Sequence, residues 1–157
     1  MPPAAEGTAR RETSPKLTER SLSYLVRQAH RAFVRKLGVK LEPYGISVAE
    51  WAVLRVLWQD EGMTQVDLAQ RMKVQKASLT AVLSTLERKG CVAKVWSETD
   101  KRKSHLFLTD AGRALEEQIL PYGLENNDLA LIGVNPRDAE IARRVLEQAI
   151  ANLESDR

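Results

Sequence analysis

Residues 63–112 read MTQVDLAQRMKVQKASLTAVLSTLERKGCVAKVWSETDKRKSHLFLTDAG, and the rest of the chain is interpreted around this stretch. Its first part, residues 64–72, carries apolar side chains at helical spacing, which predicts a short amphipathic helix. Thr64 is placed to cap that helix, because Asp67 follows three residues later as in a capping box. The side chains predicted to share its apolar face are Val66, Leu68, Ala69 and Met72.

A second, longer helix is predicted over residues 75–89, after a tight break at Lys73 and Val74. Gly90 follows it, at the position where the end of a helix favours a residue in the left-handed conformation. The side chains that recur at spacings of three and four, and that we expect to face the core, are Leu79, Val82, Leu83 and Leu86.

Two short strands are predicted over residues 92–96 and 104–108, joined by SETDKRK with three consecutive cations. A helix, a tight turn, a second helix and a basic hairpin together predict a winged helix-turn-helix, with the hairpin as the wing. The fold class is therefore mainly α with a small β-hairpin wing. In this fold the second helix enters the major groove of DNA.

The distribution of charge points to a nucleic-acid partner more clearly than the net charge of +3 does. Residues 71–105 contain nine Lys or Arg against three acidic residues, which leaves the rest of the chain net negative. A local cationic face of this kind suits a phosphate backbone. Three adjacent cations at a hairpin tip repel each other, and a polyanion would relieve that repulsion. For Arg88 and Lys89 we favour a simpler role, complementing the dipole at the end of the helix.

At these residues the chain resembles the MarR family of bacterial transcription regulators. The matching segments are TQVDLA at 64–69, VQK at 74–76, LERKG at 86–90, and DKR at 100–102 leading into LFLTDAG at 106–112. Upstream, SVAEWAVL at 47–54 is similar to the second helix of the family. The resemblance covers roughly residues 17–153. One departure is Ala81, where many members carry Arg, and Thr85 is another unusual residue in the same helix.

The fold and the resemblance together predict the residues that contact double-stranded DNA. Because this chain has Ala81 where many members carry Arg, we expect the DNA contacts to come from other residues of the second helix and from the wing. Asp100 is predicted to structure the wing. The predicted DNA contacts are Thr64, Gln65, Lys73, Gln75, Lys76, Ser78, Thr80, Lys101, Arg102 and Lys103.

The remainder of the chain predicts helices that a winged helix does not need. Residues 18–41 and 137–153 both form amphipathic patterns, and Asn135-Pro136 is a strong start signal for the second of them. Ser47 and Glu50 form a capping box before a helix that ends near Gln59. Thr109 caps a helix to Leu120, Pro121 kinks or breaks it, and helix resumes at about Gly123.

These patterns predict four parts: a disordered tail over 1–16, a first dimerisation helix over 17–44, the winged helix-turn-helix over 45–112, and C-terminal dimerisation helices over 113–157. The apolar stripes of the end helices must be buried against something, and the simplest partner is a second copy of the same chain. The resemblance implies the same two-fold homodimer, which would present two recognition helices one helical turn apart on a pseudo-palindrome.

Other classes of protein find little support. We see no nucleophile–base pattern, no glycine-rich phosphate loop and no metal-ligand spacing, so we expect neither an enzyme, a cofactor nor a metal site. No run of 18 apolar residues predicts a membrane span. The first 16 residues lack the apolar segment of a secretory signal. A single cysteine suits a reducing cytoplasm.

The resemblance also implies an effector, a small anionic aromatic acid or its acyl thioester, that releases the protein from DNA. Arg and His side chains would hold the carboxylate while aromatic rings flank the apolar body. For Trp51 a plain core role is the stronger reading. The candidate contacts are Tyr24, Arg27, His30, Arg31, Tyr44 and Trp51.

Two alternatives stay open at this point. A winged-helix dimer could serve as a protein–protein interaction module, with a recognition helix degraded at Ala81 and Thr85. Cys91 could act as a redox sensor, although a small buried apolar role is the stronger reading.

Overall fold

The computed structural model describes residues 20–155. Over this range the chain forms seven α-helices and three short strands, which confirms the fold class predicted from the sequence. The helices are α1 (Leu22–Leu41), α2 (Val48–Gln59), α3 (Gln65–Met72), α4 (Lys76–Arg88), α5 (Asp110–Ile119), α6 (Pro121–Ala130) and α7 (Pro136–Glu154). The strands are β1 (Met63–Thr64), β2 (Val92–Trp96) and β3 (Ser104–Leu108). The predicted tail, 1–16, and residues 17–19 of the predicted first helix lie outside the described residues.

Local capping signals set the ends of the central helices as the sequence predicts. The Thr64 hydroxyl accepts from the Asp67 backbone N–H at 3.2 Å, and the Asp67 carboxylate accepts from the Thr64 N–H at 3.1 Å. Lys73 follows α3 with φ of 53°, and Gly90 follows α4 with φ of 70°. Both residues are in the left-handed region, so the backbone reverses direction within a few residues at each helix end.

The sheet has three strands in the order β1-β3-β2, all antiparallel. The sequence predicted β2 and β3 with the observed bounds but missed β1. Met63 and Thr64 pair with Leu106 and His105 of β3, so the segment before α3 is tied to the wing. A two-residue strand is too short to show a hydrophobic periodicity in the sequence. It can be recognised only from its pairing with β3.

The core lies between the first five helices and the sheet. Most predicted core positions are confirmed, but Val66 is wrong: 46% of it is exposed, while Leu68 and Ala69 of the same helix are buried. The buried side of α3 is narrower than its apolar spacing suggests, and Val66 lies on the side next to the hairpin. The fully buried side chains are Leu41, Val53, Leu54, Leu57, Leu68, Leu83, Leu86, Leu106 and Ile119.

Two predicted helix boundaries need correction. α1 begins at Leu22 with Ser21 as its N-cap, whose hydroxyl accepts from the Tyr24 N–H at 3.3 Å. Pro121 is the first residue of α6, whereas the sequence predicted this helix to begin at about Gly123. Proline is tolerated there because the N–H that it lacks has no hydrogen-bond partner in the first turn of a helix. Gly123 then lies against Trp51, and a Cβ there would come within 2.6 Å of the ring.

The end helices leave apolar side chains uncovered. Leu22, Leu25 and Val26 of α1, and Ile141, Val145 and Leu146 of α7, are each between 40% and 53% exposed. These residues line one open groove of about 540 Å³ between the two helices. Within residues 20–155, no helix combines the length and apolarity required to cross a membrane.

Candidate nucleic-acid interface

A cleft of about 720 Å³ lies between the start of α3, the start of α4 and the hairpin. We refer to it as the cleft from here on. It brings together five of the predicted DNA contacts, which come from three separate stretches of sequence. These five are Thr64, Gln65, Lys76, Arg102 and Lys103.

Gln65 connects the two helices of the cleft. Its side-chain amide donates to the Lys76 carbonyl at 3.2 Å and to the Thr80 hydroxyl at 3.0 Å. Thr80 is exposed on α4, so the bond from Gln65 to its hydroxyl fixes the position of this polar side chain relative to α3. The arrangement holds the exposed face of α4 in one orientation before any ligand arrives.

The other predicted contacts lie outside the lining of the cleft. Gln75 is the N-cap residue of α4 without a side-chain capping bond, and Ser78 is exposed on the same helix. Lys101 is exposed at the hairpin tip. Lys73 differs from the rest, because its ammonium contacts the Glu154 carboxylate of α7 at 2.9 and 3.0 Å.

The cations of residues 71–103 divide into two groups by their partners. Four of them contact carboxylates: Arg71 with Asp60 at 2.8 Å, Lys73 with Glu154, Lys89 with Glu50 and Lys94 with Glu87 at 3.1 Å. Within the described part of the chain, no carboxylate lies within 4.0 Å of the charged groups of Lys76, Lys101, Arg102 and Lys103. Arg88, the last residue of α4, also has no carboxylate partner in that part of the chain, and its guanidinium donates to the Thr85 hydroxyl at 3.3 Å. The other four cations without carboxylate partners gather at the wing tip and at the start of α4.

The role expected for Lys89 needs correction. Its ammonium contacts both oxygens of the Glu50 carboxylate, at 2.7 and 2.9 Å, and also donates to the Gly45 carbonyl. Glu50 is only 4% exposed and accepts a third bond, from the Ser47 N–H at 2.8 Å. Lys89 is thus a structural link between the end of α4 and the start of α2, beyond any interaction with the helix dipole.

Asp100 shapes the tip of the wing. Its carboxylate accepts from the Arg102 N–H at 3.1 Å, and its carbonyl accepts from the Lys103 N–H at 2.9 Å. The Ser97 N–H then closes the loop onto the Lys103 carbonyl at 2.9 Å. These bonds order the backbone on which Arg102 and Lys103 are carried, which is what a wing-structuring residue would have to do.

Among the cleft residues that the sequence did not predict as DNA contacts are Lys94 and Trp96, and the prediction for His105 left it facing either solvent or DNA. All three line the cleft. The signal was the two-residue alternation of β2, because Val92, Lys94 and Trp96 share one face of the strand. Val92 is 3% exposed and Trp96 is 60% exposed, so this face of β2 is part of the core at Val92 and lines the cleft at Trp96.

One carboxylate lines the cleft, that of Asp67, and it is already engaged. The Thr64 hydroxyl donates to it at 2.6 Å, and the Thr64 N–H donates to it as well. These two bonds lower the pKa of the Asp67 carboxyl below its usual value. Asp67 is therefore held in its ionised form, and its single negative charge is outnumbered by the positive charges of Lys76, Arg102 and Lys103, so the cleft as a whole stays cationic.

The predicted effector contacts do not form one site. His30 and Trp51 line a cavity of about 260 Å³ between α1, α2 and α6, together with Arg55 and Asn126. Tyr24 and Arg27 contact each other, with the guanidinium 5.9 Å from the ring centre. The Tyr44 hydroxyl lies 3.1 Å from that of Tyr122.

Arg31 is exposed and lines none of these features. Trp51 is 8% exposed, and its indole N–H donates to the Ile119 carbonyl at 3.1 Å, which makes it part of the core as well. Of the six residues, two therefore share a cavity.

Cys91 is buried, and that burial raises the pKa of its thiol. A raised pKa disfavours the reactive thiolate, which agrees with the buried apolar role. The backbone carbonyl of Cys91 lies so close to Gly112 that a Cβ at Gly112 would come within 2.1 Å of it. Among residues 20–155, no three His, Cys, Asp or Glu side chains are grouped to hold a metal ion.

Comparison with known proteins adds to this geometry. A sequence model of the MarR family matches residues 46–104. The transcriptional repressor Rv2887 of Mycobacterium tuberculosis is 31% identical over 97 residues, which cover 62% of this chain and 70% of the repressor. The transcriptional regulator TtmR of Methylorubrum extorquens is 31% identical over 102 residues, 65% of this chain and 52% of that regulator. The chain therefore spans between about half and 70% of these two relatives.

Crystal structures agree over a longer part of the chain. Transcriptional regulator PA3341 superposes with a TM-score of 0.74 and 30% identity, over 85% of this chain and 98% of that structure. A complex of Rv2887 with salicylic acid superposes with a TM-score of 0.64 and 26% identity, over 82% of this chain and 96% of that structure. The likeness extends beyond the helix-turn-helix and the wing to most of the described helices.

Proposed function

This chain belongs to the MarR family of transcription regulators, and on that premise we propose that it binds an operator in double-stranded DNA as a repressor. Family members are DNA-binding regulators and not enzymes, in agreement with the sequence prediction. The observation that carries the proposal is the cleft, where Lys76, Arg102 and Lys103 meet without carboxylate partners among residues 20–155. We expect the protein to act in the bacterial cytoplasm.

The charge of the cleft supports phosphate as its ligand. Arg102 and Lys103 extend from a loop ordered by Asp100, while Lys76 is in the first turn of α4. Cations on two walls can contact a phosphodiester strand that passes between them, with α4 in the major groove and the wing beside it. Sequence would be read by the exposed face of α4, for which we propose Gln75, Ser78 and Thr80.

The experiment is fluorescence anisotropy with the DNA upstream of the chain's own gene, at several salt concentrations. We expect tight binding that weakens steeply with salt, with a log–log slope of about −0.9 for each phosphate neutralised. Unrelated DNA of equal length is the control, and it should bind more weakly. Equal binding to both DNAs at low salt would contradict the operator claim and favour a protein–protein interaction module.

We further propose that the operator-binding species is a homodimer built by the end helices. The apolar faces of α1 and α7, which the sequence predicted to need a cover, are partly exposed and line one groove. A second copy would bury these side chains at about 25 cal/mol for each Å² of apolar surface removed from water. Two-fold symmetry would then present two α4 helices to a pseudo-palindromic operator.

The effector proposal is narrower than the sequence prediction. We propose that an aromatic acid enters the cavity lined by His30, Trp51, Arg55 and Asn126 and loosens DNA binding. Salicylic acid in the Rv2887 complex supports this chemical class. The volume of about 260 Å³ is below the ~300–1,000 Å³ typical of drug-sized ligands, so it suits one ring. A thioester would leave most of its length outside.

This proposal is tested by titrating a panel of aromatic acids and their thioesters into the protein–DNA complex. An effector should release the labelled DNA, and operator DNA should weaken effector affinity by the same factor. Arg55→Ala should lower effector affinity while Arg31→Ala, a change of the same type on exposed surface, should not. An effector isotherm that operator DNA leaves unchanged would refute the coupling.

A further inference from the structure

The three tryptophans of the chain have different surroundings. The indole N–H of Trp51 donates to the Ile119 carbonyl at 3.1 Å, and that of Trp58 donates to the Gly112 carbonyl at 2.9 Å. Trp96 is 60% exposed, and its N–H donates to no group within residues 20–155. Two indoles thus serve the packing of α2, while the third keeps both its ring and its donor available.

Trp96 lies among cations. It is one of the lining residues of the cleft, with Lys94 two residues before it on the same face of β2 and Ser104 as its cross-strand neighbour. Arg102 and Lys103 line the same wall. The exposed indole therefore lies where Arg102 and Lys103, in their proposed role, would hold a DNA strand against it.

From this geometry we propose that Trp96 is a DNA-contacting residue: its ring packs on the deoxyribose of the strand held in the cleft, and its N–H donates to an adjacent phosphate. The inference rests on the proposed function. In a duplex the faces of the bases are covered by their neighbours, so the apolar surface that the backbone offers to a side chain is the sugar. The contact is therefore independent of base sequence.

Trp96 and the cations of the cleft differ in how salt affects their contribution. Arg102 and Lys103 displace counterions from the phosphates, so each contributes to the salt slope. An indole is neutral and displaces none. Loss of Trp96 should therefore lower affinity at every salt concentration by the same factor and leave the slope unchanged, whereas loss of Arg102 should also make the slope shallower.

The test compares Trp96→Ala and Trp96→Phe with Val95→Ala by anisotropy on operator and unrelated DNA. Val95 is the matched control, because it is 53% exposed on the same strand but does not line the cleft. We expect Trp96→Ala to lose about tenfold in affinity for both DNAs, Trp96→Phe to lose about threefold, and Val95→Ala to lose less than twofold.

Intrinsic fluorescence gives a second measurement, one that would not respond to DNA through Trp96 if this residue had only a structural role. DNA should change the tryptophan emission of the wild-type protein, and the change should disappear in Trp96→Phe, which keeps Trp51 and Trp58. The proposal is overturned if the wild type binds DNA and Trp96→Ala binds it equally well, or if Val95→Ala loses as much. Failure of the wild type to bind any DNA would overturn the proposed function and this inference together.

Discussion

The central unit, residues 46–119, and the end helices α1 and α7 bury their apolar side chains to different extents. In the central unit Leu54, Leu83 and Leu106 are fully buried within one chain. On the end helices Leu25 and Val145 are 53% and 49% exposed, although both belong to regular apolar stripes. The difference shows that the helix-turn-helix and the wing are complete in one chain, whereas the stripes of the end helices have no full cover in it.

The largest expected effect comes from Leu25→Glu, which introduces a charge in the exposed stripe of α1. We expect a monomer by sedimentation velocity and a loss of operator affinity of roughly 100-fold or more, because two linked half-sites become one. Tryptophan fluorescence should show that the central unit stays folded. Ser23→Glu is the control, since it adds the same charge on the other side of α1. A dimeric Leu25→Glu protein would contradict the assignment of this face.

The next effect concerns the core of the central unit. Leu83→Ala removes a fully buried side chain of α4 and should lower the free energy of unfolding by about 3 kcal/mol in urea denaturation. The matched change is Leu153→Ala on α7, where the side chain is 87% exposed, measured in the monomeric Leu25→Glu background. It should cost less than about 0.5 kcal/mol. An equal loss of unfolding free energy in the two variants would contradict the view that the apolar side chains of the central unit are covered within one chain while those of α7 are not.

A smaller effect is expected at the start of α3. Thr64→Ala removes the hydroxyl that caps the helix and binds the Asp67 carboxylate, and should cost about 1 kcal/mol of unfolding free energy. Thr64→Ser keeps the hydroxyl and should retain most of the stability. If alanine and serine had the same effect, the capping box would not be what orders this end of the cleft.

The smallest effect is a dependence on pH at Glu61, which connects the wing to α5. Its carboxylate accepts from the Leu108 N–H at 2.9 Å and from Arg113 at 2.6 Å, and these contacts lower the pKa of Glu61. A lowered pKa in the folded state contributes stability above the unfolded-state value, and that contribution is lost as the pH falls.

The stability difference between the wild type and Glu61→Gln should therefore be largest near neutral pH and shrink toward pH 3. Denaturation midpoints measured across that range give the comparison. Glu117→Gln is the control, because Glu117 is exposed on α5 and its carboxylate has no hydrogen bond or ion pair within residues 20–155. Its curve should run parallel to that of the wild type. A constant gap for Glu61→Gln would mean that its effect is not electrostatic.

The sequence predicted the central unit well because its signals are local. The capping boxes at Ser47 and Thr64 involve residues three apart, and Gly90 needs only its own backbone conformation. β1 escaped prediction because two residues carry no pattern, and their pairing partners are about 40 positions away. The break at Pro121 was predicted, but the next helix begins at Pro121 itself and not at about Gly123, because proline is compatible with the first turn of a helix.

The candidate sites were predictable in part for a related reason. The cations at 101–103 stand out as a charge run, but the sequence does not tell which cations have carboxylate partners. Lys73 and Lys89 look like Lys76, yet their partners Glu154 and Glu50 lie 81 and 39 residues away. The effector residues were chosen by composition, and only tertiary packing decides that His30 and Trp51 share a cavity while Tyr24 and Tyr44 do not.

The central claim is that Lys76 at the start of α4 and the wing residues Lys101, Arg102 and Lys103, which have no carboxylate partners in residues 20–155, bind the phosphate backbone. The most direct test compares Arg102→Ala with Arg71→Ala in anisotropy titrations against operator and unrelated DNA. Both changes remove an arginine from the same stretch, but Arg71 contacts Asp60 at 2.8 Å and does not line the cleft. Arg102→Ala should weaken binding to every sequence by about 1–2 kcal/mol and reduce the salt slope by about one, and Arg71→Ala should do neither. Unchanged affinity in Arg102→Ala, or an equal loss in both proteins, would contradict the account.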